Sequence, residues 1–291
     1  MKQISVFLFS FLVTLSVFSQ KEGIVMKQDG PSKMVKSKDW EPLLDKELSN
    51  WEVWTGVPHK TVKNLPEGYV VPDDGVPKEP IGLDNSMGVY KVVEDENGEP
   101  VLNISGLVYA GLTSKKIYKN YHLTLLFKWG EKKYEPRLER LRDNGLLYHC
   151  YGDHGTFWGV WKRCLESQIQ EGDFGDLYTL AGTKAKVRVN EFGRWDPTSD
   201  KVEGKGKRLY DTESVHGAWT RIDLYVLEDQ AVHVTNGKVT FALTDALDHK
   251  GNKLNKGQLQ IQSEGAEAYV KGIYIRPIKK FPRKIKKAAG F

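Results

Sequence analysis

Apolar and polar residues alternate along most of this chain, in short runs that end at glycine, proline or asparagine. Residues 220–227 show the pattern clearly, with Ile222, Leu224 and Val226 at every second position. Side chains two residues apart lie on the same face of a strand, so this spacing predicts a strand that is buried on one face. The longer and more apolar run at 121–129 predicts a more deeply buried strand.

Turn signals separate these runs along the chain. Asn97-Gly98 and Asn236-Gly237 each stand between two strand-like segments, and this dipeptide favours a tight hairpin because it accepts positive φ at both central positions. Helical periodicity is slight, and no internal repeat is visible. The pattern therefore predicts an all-β fold, an antiparallel β-sandwich built as a single domain over residues 39–278.

The beginning of the chain lacks this pattern. Residues 1–19 combine Lys2, an apolar core and a small residue at position 19, which is typical of a cleaved export signal. The stretch is short for a bilayer span, so we expect no membrane span after cleavage. Residues 20–38 are polar and predict a flexible leader. The expected location is the periplasm, or outside the cell, of a bacterium.

Positive charge is concentrated at the other end of the chain. The net charge of the 291 residues is +5, and residues 279–291 alone hold more positive side chains than this excess. The body of the protein is therefore close to neutral, which argues against a nucleic-acid partner. We expect the basic tail at 279–291 to be solvated and poorly ordered.

One central stretch concentrates the residues suited to chemistry. Glu166, Gln168 and Gln170 are spaced two residues apart, so a strand through them places all three on one sheet face. A carboxylate flanked by two amides can accept and donate hydrogen bonds, as the recognition of sugar hydroxyls requires. We therefore expect this face to be the concave wall of a carbohydrate-binding cleft.

The same stretch resembles the 3-keto-disaccharide hydrolase family. The matching segments are DNGLLYH at 143–149, a Trp-x-Arg-like turn at 161–163 and ESQIQEGDFGD at 166–176, and Tyr178 continues the match. Flanking segments extend the resemblance over roughly residues 39–278. It implies a concanavalin A-like β-sandwich of the jelly-roll type, and an enzyme that cleaves glycosides whose sugar carries a ketone at C3.

A ketone at C3 changes what such an enzyme has to supply. It acidifies the proton on C2, so one base can remove that proton, after which the leaving group departs from C1 and water adds back. Glu166 is the expected base. His149, which titrates near neutral pH, is the expected acid or donor to the enolate oxygen, and Arg163 is the expected electrostatic stabiliser. No dinucleotide or flavin fingerprint is present, so a separate sugar 3-oxidoreductase would make the keto sugar upstream.

Aromatic and acidic side chains nearby complete the predicted site. Trp158 and Trp161 lie in a glycine-rich loop, where an indole ring can stack on the apolar face of a sugar. The loop at 173–176 is expected beside Trp158 at the rim of the cleft. The other expected contacts with the carbohydrate are Glu171, Asp176 and Tyr178.

Three functional alternatives remain open from the residues alone. Glu171 could join Glu166 as the carboxylate pair of a conventional glycosidase, if a bulge turned it onto the same face. A polysaccharide lyase on the same fold would use similar residues. A non-catalytic carbohydrate-binding module would also present one carboxylate amid amides and aromatic rings.

Two pairs of residues raise questions of metal binding and cross-linking. Asp173 and Asp176 leave open a calcium site, although their spacing is not that of an EF-hand, and no other cofactor is expected. Cys150 and Cys164 could form a disulfide if their strands pair in a facing register. Spacing alone does not decide that register.

Overall fold

The structure of the protein, a computed structural model, describes residues 39–291. The predicted export signal at 1–19 and the leader at 20–38 lie outside the described residues. Within the described part, no helix is long and apolar enough to cross a membrane. Nearly all of the regular structure consists of strands.

The strands follow one another from residue 41 to residue 277, and one short helix follows them. The elements in chain order are β1 (Glu41–Pro42), β2 (Trp51–Thr55), β3 (Tyr90–Glu94), β4 (Pro100–Ile104), β5 (Ala110–Ser114), β6 (Tyr121–Lys133), β7 (Gly145–Tyr151), β8 (Arg163–Gln168), β9 (Leu177–Leu180), β10 (Lys184–Arg188), β11 (Val202–Glu203), β12 (Thr220–Leu227), β13 (Gln230–Thr235), β14 (Lys238–Leu247), β15 (Gln258–Ser263), β16 (Ala266–Pro277) and α1 (Arg283–Ala289).

These strands form two antiparallel sheets. The larger sheet has ten strands in the order β11-β10-β14-β13-β12-β6-β16-β4-β3, with β1 paired to β16 at one end of that long strand. The smaller sheet has six strands in the order β2-β5-β15-β7-β8-β9. The predicted all-β sandwich is therefore confirmed, and the strands that carry the candidate site, β7, β8 and β15, are neighbours in the smaller sheet.

The main core lies between the two sheets. Leu123, Leu125 and Phe127 occupy every second position of β6, and they join Tyr148 of β7 and Leu165 of β8 in one buried cluster. Burial of each such side chain contributes roughly 1.5–3 kcal/mol to folding. Because these residues take the inner face, their sequence neighbours on β7 and β8 point to the outer face of the smaller sheet.

The basic tail differs from its prediction. It is not a solvated end: α1 packs against β14, and Phe281, Ile285 and Ala289 are buried. Ile285 and Ala289 are four residues apart and therefore share one helix face, Phe281 lies just before the helix, and the lysines and the arginine of α1 occupy its other faces. Gly290 ends the helix with φ of 77°, which glycine adopts without steric cost. The high charge of the segment concealed this apolar stripe.

The packing of α1 leads to a prediction about stability. Ile285 is 1% exposed, so Ile285→Ala should lower the free energy of unfolding by about 2–4 kcal/mol, the cost of removing a buried aliphatic side chain. The exposed neighbour Lys284 provides the matched control, Lys284→Ala, which should change stability little. Urea denaturation measures both, and equal midpoints for the two variants would show that the helix does not pack as described.

Candidate functional site

The alternation predicted through Glu166 is present in the structure. Leu165 of β8 belongs to the main core, so Glu166 and Gln168 point to the outer face of the smaller sheet. The strand ends at Gln168, but the pairing continues, because Ile169 N donates to Asn144 O at 2.9 Å and Glu171 N donates to Arg142 O at 3.0 Å. Gln170 therefore keeps the same orientation, and its Nε2 donates to Asp173 Oδ2 at 2.8 Å.

Residues opposite one another on neighbouring strands form rows across this outer face. Glu166 is opposite Leu147 of β7 on one side and opposite Tyr178 of β9 on the other. Leu147 is in turn opposite Gln260 of β15. Tyr178 therefore lies beside Glu166, as expected, and its ring is half-exposed beneath the Lys207 ammonium, 5.6 Å from the ring centroid.

Gly145 creates the space that the Glu166 side chain occupies. A Cβ at Gly145 would overlap the Glu166 carboxyl and would lie 2.5 Å from Gln262 Oε1. The carboxyl of β8 and the amide of β15 thus both lie over this glycine of β7. Glu166 is 5% exposed, and neither a hydrogen bond nor a cation lowers its pKa. Gln262 Oε1 is buried and has no hydrogen-bond partner within residues 39–291.

Two more carboxyl groups lie one row further along the same face. Asp143 and Glu264 are opposite each other just beyond β7 and β15. Arg137 donates through the same nitrogen, Nη2, to Asp143 Oδ2 and to Glu264 Oε1. Its Nε donates to Tyr109 Oη at 3.3 Å. Successive residues on one strand face are roughly 7 Å apart, so this group is close to Glu166.

Burial and like charge shift the titration of these acids. Burial raises the pKa of Glu166 well above its usual range, and the carboxyls of Glu264 and Asp143 raise it further. Burial and the Asp143 carboxyl also raise the pKa of Glu264, to about 8, although Arg137 opposes the shift. Three carboxyls and one guanidinium therefore share this face, and the pKa of each carboxyl is raised.

The loop between β7 and β8 covers part of the same face. Trp161 is buried with Leu147 and Cys164, its ring centroid lies 5.9 Å from that of Tyr109, and its Nε1 has no hydrogen-bond partner in the described chain. Trp158 is 68% exposed, with its ring centroid 5.8 Å from that of Trp161. Trp161 thus packs against the sheet, while Trp158 stacks on Phe157 and exposes much of its ring to solvent at the edge of the loop.

His149 is not where the alternation predicts it. The register of β7 shifts between Tyr148 and Tyr151, and His149 has φ of 52° within this bulge, so its side chain leaves the row of Leu147. Its buried ring lies near the Glu228 carbonyl, which belongs to the larger sheet's β12–β13 turn. Burial lowers the pKa of His149 to about 4. The expected role of His149 in the Glu166 cleft is therefore wrong.

Arg163 and Glu171 also differ from their expected roles. Arg163 is three residues from Glu166 and thus has the opposite orientation on β8, and its guanidinium donates to Ala181 O at 2.9 Å. Glu171 forms an ion pair with Arg142 at 2.9 Å and accepts from the Arg142 backbone N–H at 3.0 Å. Neither side chain belongs to the set of carboxyls formed by Glu166, Asp143 and Glu264.

The acidic loop at 173–176 packs inward instead of forming a rim. Phe174 lies in the main core, where its ring centroid is 5.8 Å from that of Phe127. Asp176 is fully buried and pairs with Lys207 at 2.9 Å, and Asp173 pairs with Arg208 at 2.7 Å. The expected contact of Asp176 with the carbohydrate is therefore wrong.

The same ion pairs bear on the calcium expectation. Two cationic side chains occupy the places beside Asp173 and Asp176 where calcium would sit, so these residues do not fit that ion. In the part of the chain that the structure describes, no group of three or more His, Cys, Asp or Glu residues is arranged to hold a metal ion.

The two cysteines lie side by side but are not bridged. Cys150 and Cys164 are free, buried thiols in the small apolar cluster on the outer face of the smaller sheet. Burial and a hydrogen bond with Cys150 raise the pKa of Cys164 well above its usual range. The Cys164 thiol is therefore held in its protonated form, and both buried side chains pack as small apolar groups.

A large cavity lies elsewhere in the molecule. It has a volume of about 750 Å³ and lies against α1, with Trp195, Leu227 and Phe281 among its lining residues. None of the carboxyl groups near Gly145 lines it. The candidate site is therefore defined by its buried unpaired polar atoms and not by this cavity.

Sequence reasoning missed most of the groups around Glu166. Gln262 and Glu264 are far from it in the chain and are brought to it by the pairing of β15 with β7, and Arg137 comes from the loop between β6 and β7. One signal was present: Gln258, Gln260 and Gln262 alternate in the same way as the residues around Glu166.

The fold and these polar residues are those of a carbohydrate-active, glycosyl hydrolase-like protein. The chain belongs to the family described as having a 3-keto-alpha-glucoside-1,2-lyase-like domain, whose model matches residues 39–276. No curated protein matches the chain.

Solved structures share the general architecture at low identity. One is a "putative glycosyl hydrolase" from Parabacteroides distasonis, with 14% identity, a TM-score of 0.44 and coverage of 82% of this chain and 99% of that chain. A Bacillus subtilis protein of unknown function with a galectin-like fold has 10% identity, a TM-score of 0.45 and coverage of 81% and 94%. A Bacteroides ovatus mixed linkage glucan GH16 protein has 11% identity, a TM-score of 0.42 and coverage of 81% and 98%.

The environment of Glu166 leads to a prediction about stability and pH. A buried carboxyl with a raised pKa lowers the free energy of unfolding at a pH where the carboxyl is ionised in the unfolded chain. At a pH where it is protonated in both the folded and the unfolded state, this pH-dependent loss of stability disappears. Glu166→Gln should therefore raise the free energy of unfolding at pH 8, because the amide has no charged form to lose on burial. Near pH 4 the variant and the wild type should be almost equally stable.

Urea denaturation at the two pH values measures this difference. The matched control is Glu203→Gln, because Glu203 lies on β11 in a surface ion pair with Lys201. The control should show little change at either pH. A Glu166→Gln variant less stable than the wild type at pH 8 would contradict a buried, unpaired carboxyl.

Proposed function

We propose that this protein is an exported bacterial enzyme that cleaves glycosides whose sugar carries a ketone at C3, with Glu166 as the base. The observation that carries the proposal is the Glu166 carboxyl itself. It is buried on the outer sheet face and lies over Gly145, and neither a hydrogen bond nor a cation lowers its pKa. A carboxyl held in this way, in a member of a lyase-like family, is suited to taking a proton from a bound substrate.

The chemistry needs a base whose pKa is close to the working pH. The C3 ketone acidifies the C2 proton, Glu166 removes it, and the C1–O bond then breaks as the double bond between C1 and C2 forms. Water adds to C1, and the proton returns from Glu166 to C2. A carboxylate with an ordinary pKa is a weak base for this step, so the raised pKa of Glu166 supports its assignment.

Neighbouring side chains suit the recognition of the sugar. Gln262 and Trp161 each have a buried polar atom without a partner in the described chain, and Gln168 lies in the row next to Glu166. The exposed ring of Trp158 can stack on a sugar beyond the cleaved bond. The keto substrate itself would come from a separate sugar 3-oxidoreductase.

A conventional glycosidase is the second candidate. Such an enzyme needs two carboxyl groups about 5–9.5 Å apart across the bond. Asp143 and Glu264, which lie one row beyond Gly145 and raise the pKa of Glu166, supply further carboxyls on the same face. Activity on unmodified glycosides separates the two candidates, and a polysaccharide lyase would be recognised by an unsaturated product. Binding without turnover of any substrate would indicate a non-catalytic carbohydrate-binding module.

The base role predicts a selective loss of turnover. Glu166→Gln keeps the size of the side chain but cannot accept a proton, so kcat on a 3-keto glucoside should fall by about 10²–10⁴, the usual contribution of a general base. Binding of the substrate should persist, since the amide can still form hydrogen bonds. Product analysis with 3-keto and unmodified glycosides, run side by side, measures both.

The control for this experiment is again Glu203→Gln, which removes a carboxyl of the same size far from Gly145 and should keep wild-type turnover. Folding of each variant is checked by its denaturation midpoint. If folded Glu166→Gln protein turned over the keto substrate at the wild-type rate, Glu166 would have no part in the chemistry.

A further inference from the structure

Two acids on the same face, Asp143 and Glu264, have no role in proton removal by Glu166. Asp143 and Glu264 are each 4% exposed, and a single Arg137 nitrogen contacts one oxygen of each. Two carboxyls that share one donor nitrogen must lie within a few ångström of each other. Because two such groups cannot easily both ionise, one of them holds a proton.

Unpaired atoms beside this pair indicate a place for a ligand. Gln262 is 2% exposed, and its Oε1 lies over Gly145 without a hydrogen-bond partner in the described residues. Asp143 Oδ1 is likewise buried and without a partner there. Buried polar atoms in folded proteins nearly always have partners, so these oxygens are suited to accept hydrogen bonds from substrate hydroxyls.

We propose that Glu264 is the general acid of the reaction and gives its proton to the oxygen that leaves C1. Asp143 and Arg137 are positioning residues, because they hold the Glu264 carboxyl without reacting. The inference rests on the proposed function, in which Glu166 is the base. It fills the acid role for which His149 is misplaced.

The spacing of the groups fits this division of roles. Glu166 extends over Gly145, and Asp143 and Glu264 form the next row, roughly 7 Å further along the strands. The Glu264 carboxyl also raises the pKa of Glu166, which agrees with two carboxyls close together on this face. The raised pKa of Glu264, about 8, supports a carboxyl that still carries its proton at neutral pH.

The proton balance closes over one turnover. Glu166 takes the C2 proton, and as the C1–O bond breaks the leaving oxygen takes the proton of Glu264. When water adds to C1, Glu264 regains a proton from that water, and Glu166 returns its proton to C2. The sum is hydrolysis of the glycoside, and both carboxyls end in their starting states.

Leaving-group dependence tests the acid role, because a leaving group that is stable as an anion needs no proton. The substrates are methyl 3-keto-glucoside, whose leaving group requires protonation, and 4-nitrophenyl 3-keto-glucoside, whose leaving group does not. Glu264→Gln should lower kcat on the methyl substrate by about 10²–10⁴ and on the nitrophenyl substrate by less than about 10-fold. Glu166→Gln should lower both to a similar extent, and Glu203→Gln neither.

Each result decides between an acid and a structural role. A purely structural Glu264 would lower kcat on both substrates equally, which would overturn the proposal. If Glu264→Gln does not fold, Glu264→Asp displaces the carboxyl and must show the same preference for the nitrophenyl substrate. Should the wild type cleave only unmodified glycosides, the proposed function fails, and the same comparison with unmodified methyl and nitrophenyl glycosides still tests Glu264. No turnover of either series by the wild type would overturn both proposals.

Discussion

The antiparallel register of β7 with its two neighbours, β8 and β15, is the constraint on which the candidate site depends. It brings the side chains of Glu166 of β8 and Gln262 of β15 over Gly145 of β7, which has no side chain of its own. A shift by one residue would turn the whole polar set toward the core. Leu165 and Tyr148, anchored in that core, oppose such a shift and so hold the acids on the outer face.

The grouping of charge at this place costs stability. Of three largely buried carboxyls on this face, Asp143 and Glu264 contact the Arg137 guanidinium and Glu166 does not, so burial and mutual repulsion disfavour full ionisation. The protein tolerates the arrangement because a large apolar core between the sheets stabilises the fold independently of it. Elsewhere, comparable acids are neutralised: Asp176 has Lys207 and Arg208, and Glu171 has Arg142. No cation lowers the pKa of Glu166, and this separates that carboxyl from the structural ion pairs.

Two failures of the sequence predictions have identifiable physical causes. The alternation of β7 in the sequence places His149 on the same face as Leu147. In the structure, one extra residue in a bulge rotates His149 out of that row, and the bulge depends on pairing with the partner strands. The prediction for the tail rested on its charge. In the structure, Ile285 and the residues four positions away from it pack on an apolar surface of the larger sheet. In both places a contact distant in the chain overrides the local pattern.

The features that depend on residues close together in the chain could be predicted from the sequence. Alternation and turn dipeptides were enough for the antiparallel sandwich, and the two-residue spacing was enough to place Glu166, Gln168 and Gln170 on one face, because strand geometry is local. Only the tertiary structure decided what faces them. Gln262 and Glu264 reach Glu166 through the order of strands in the sheet, and strand order is set by packing between segments far apart in the chain.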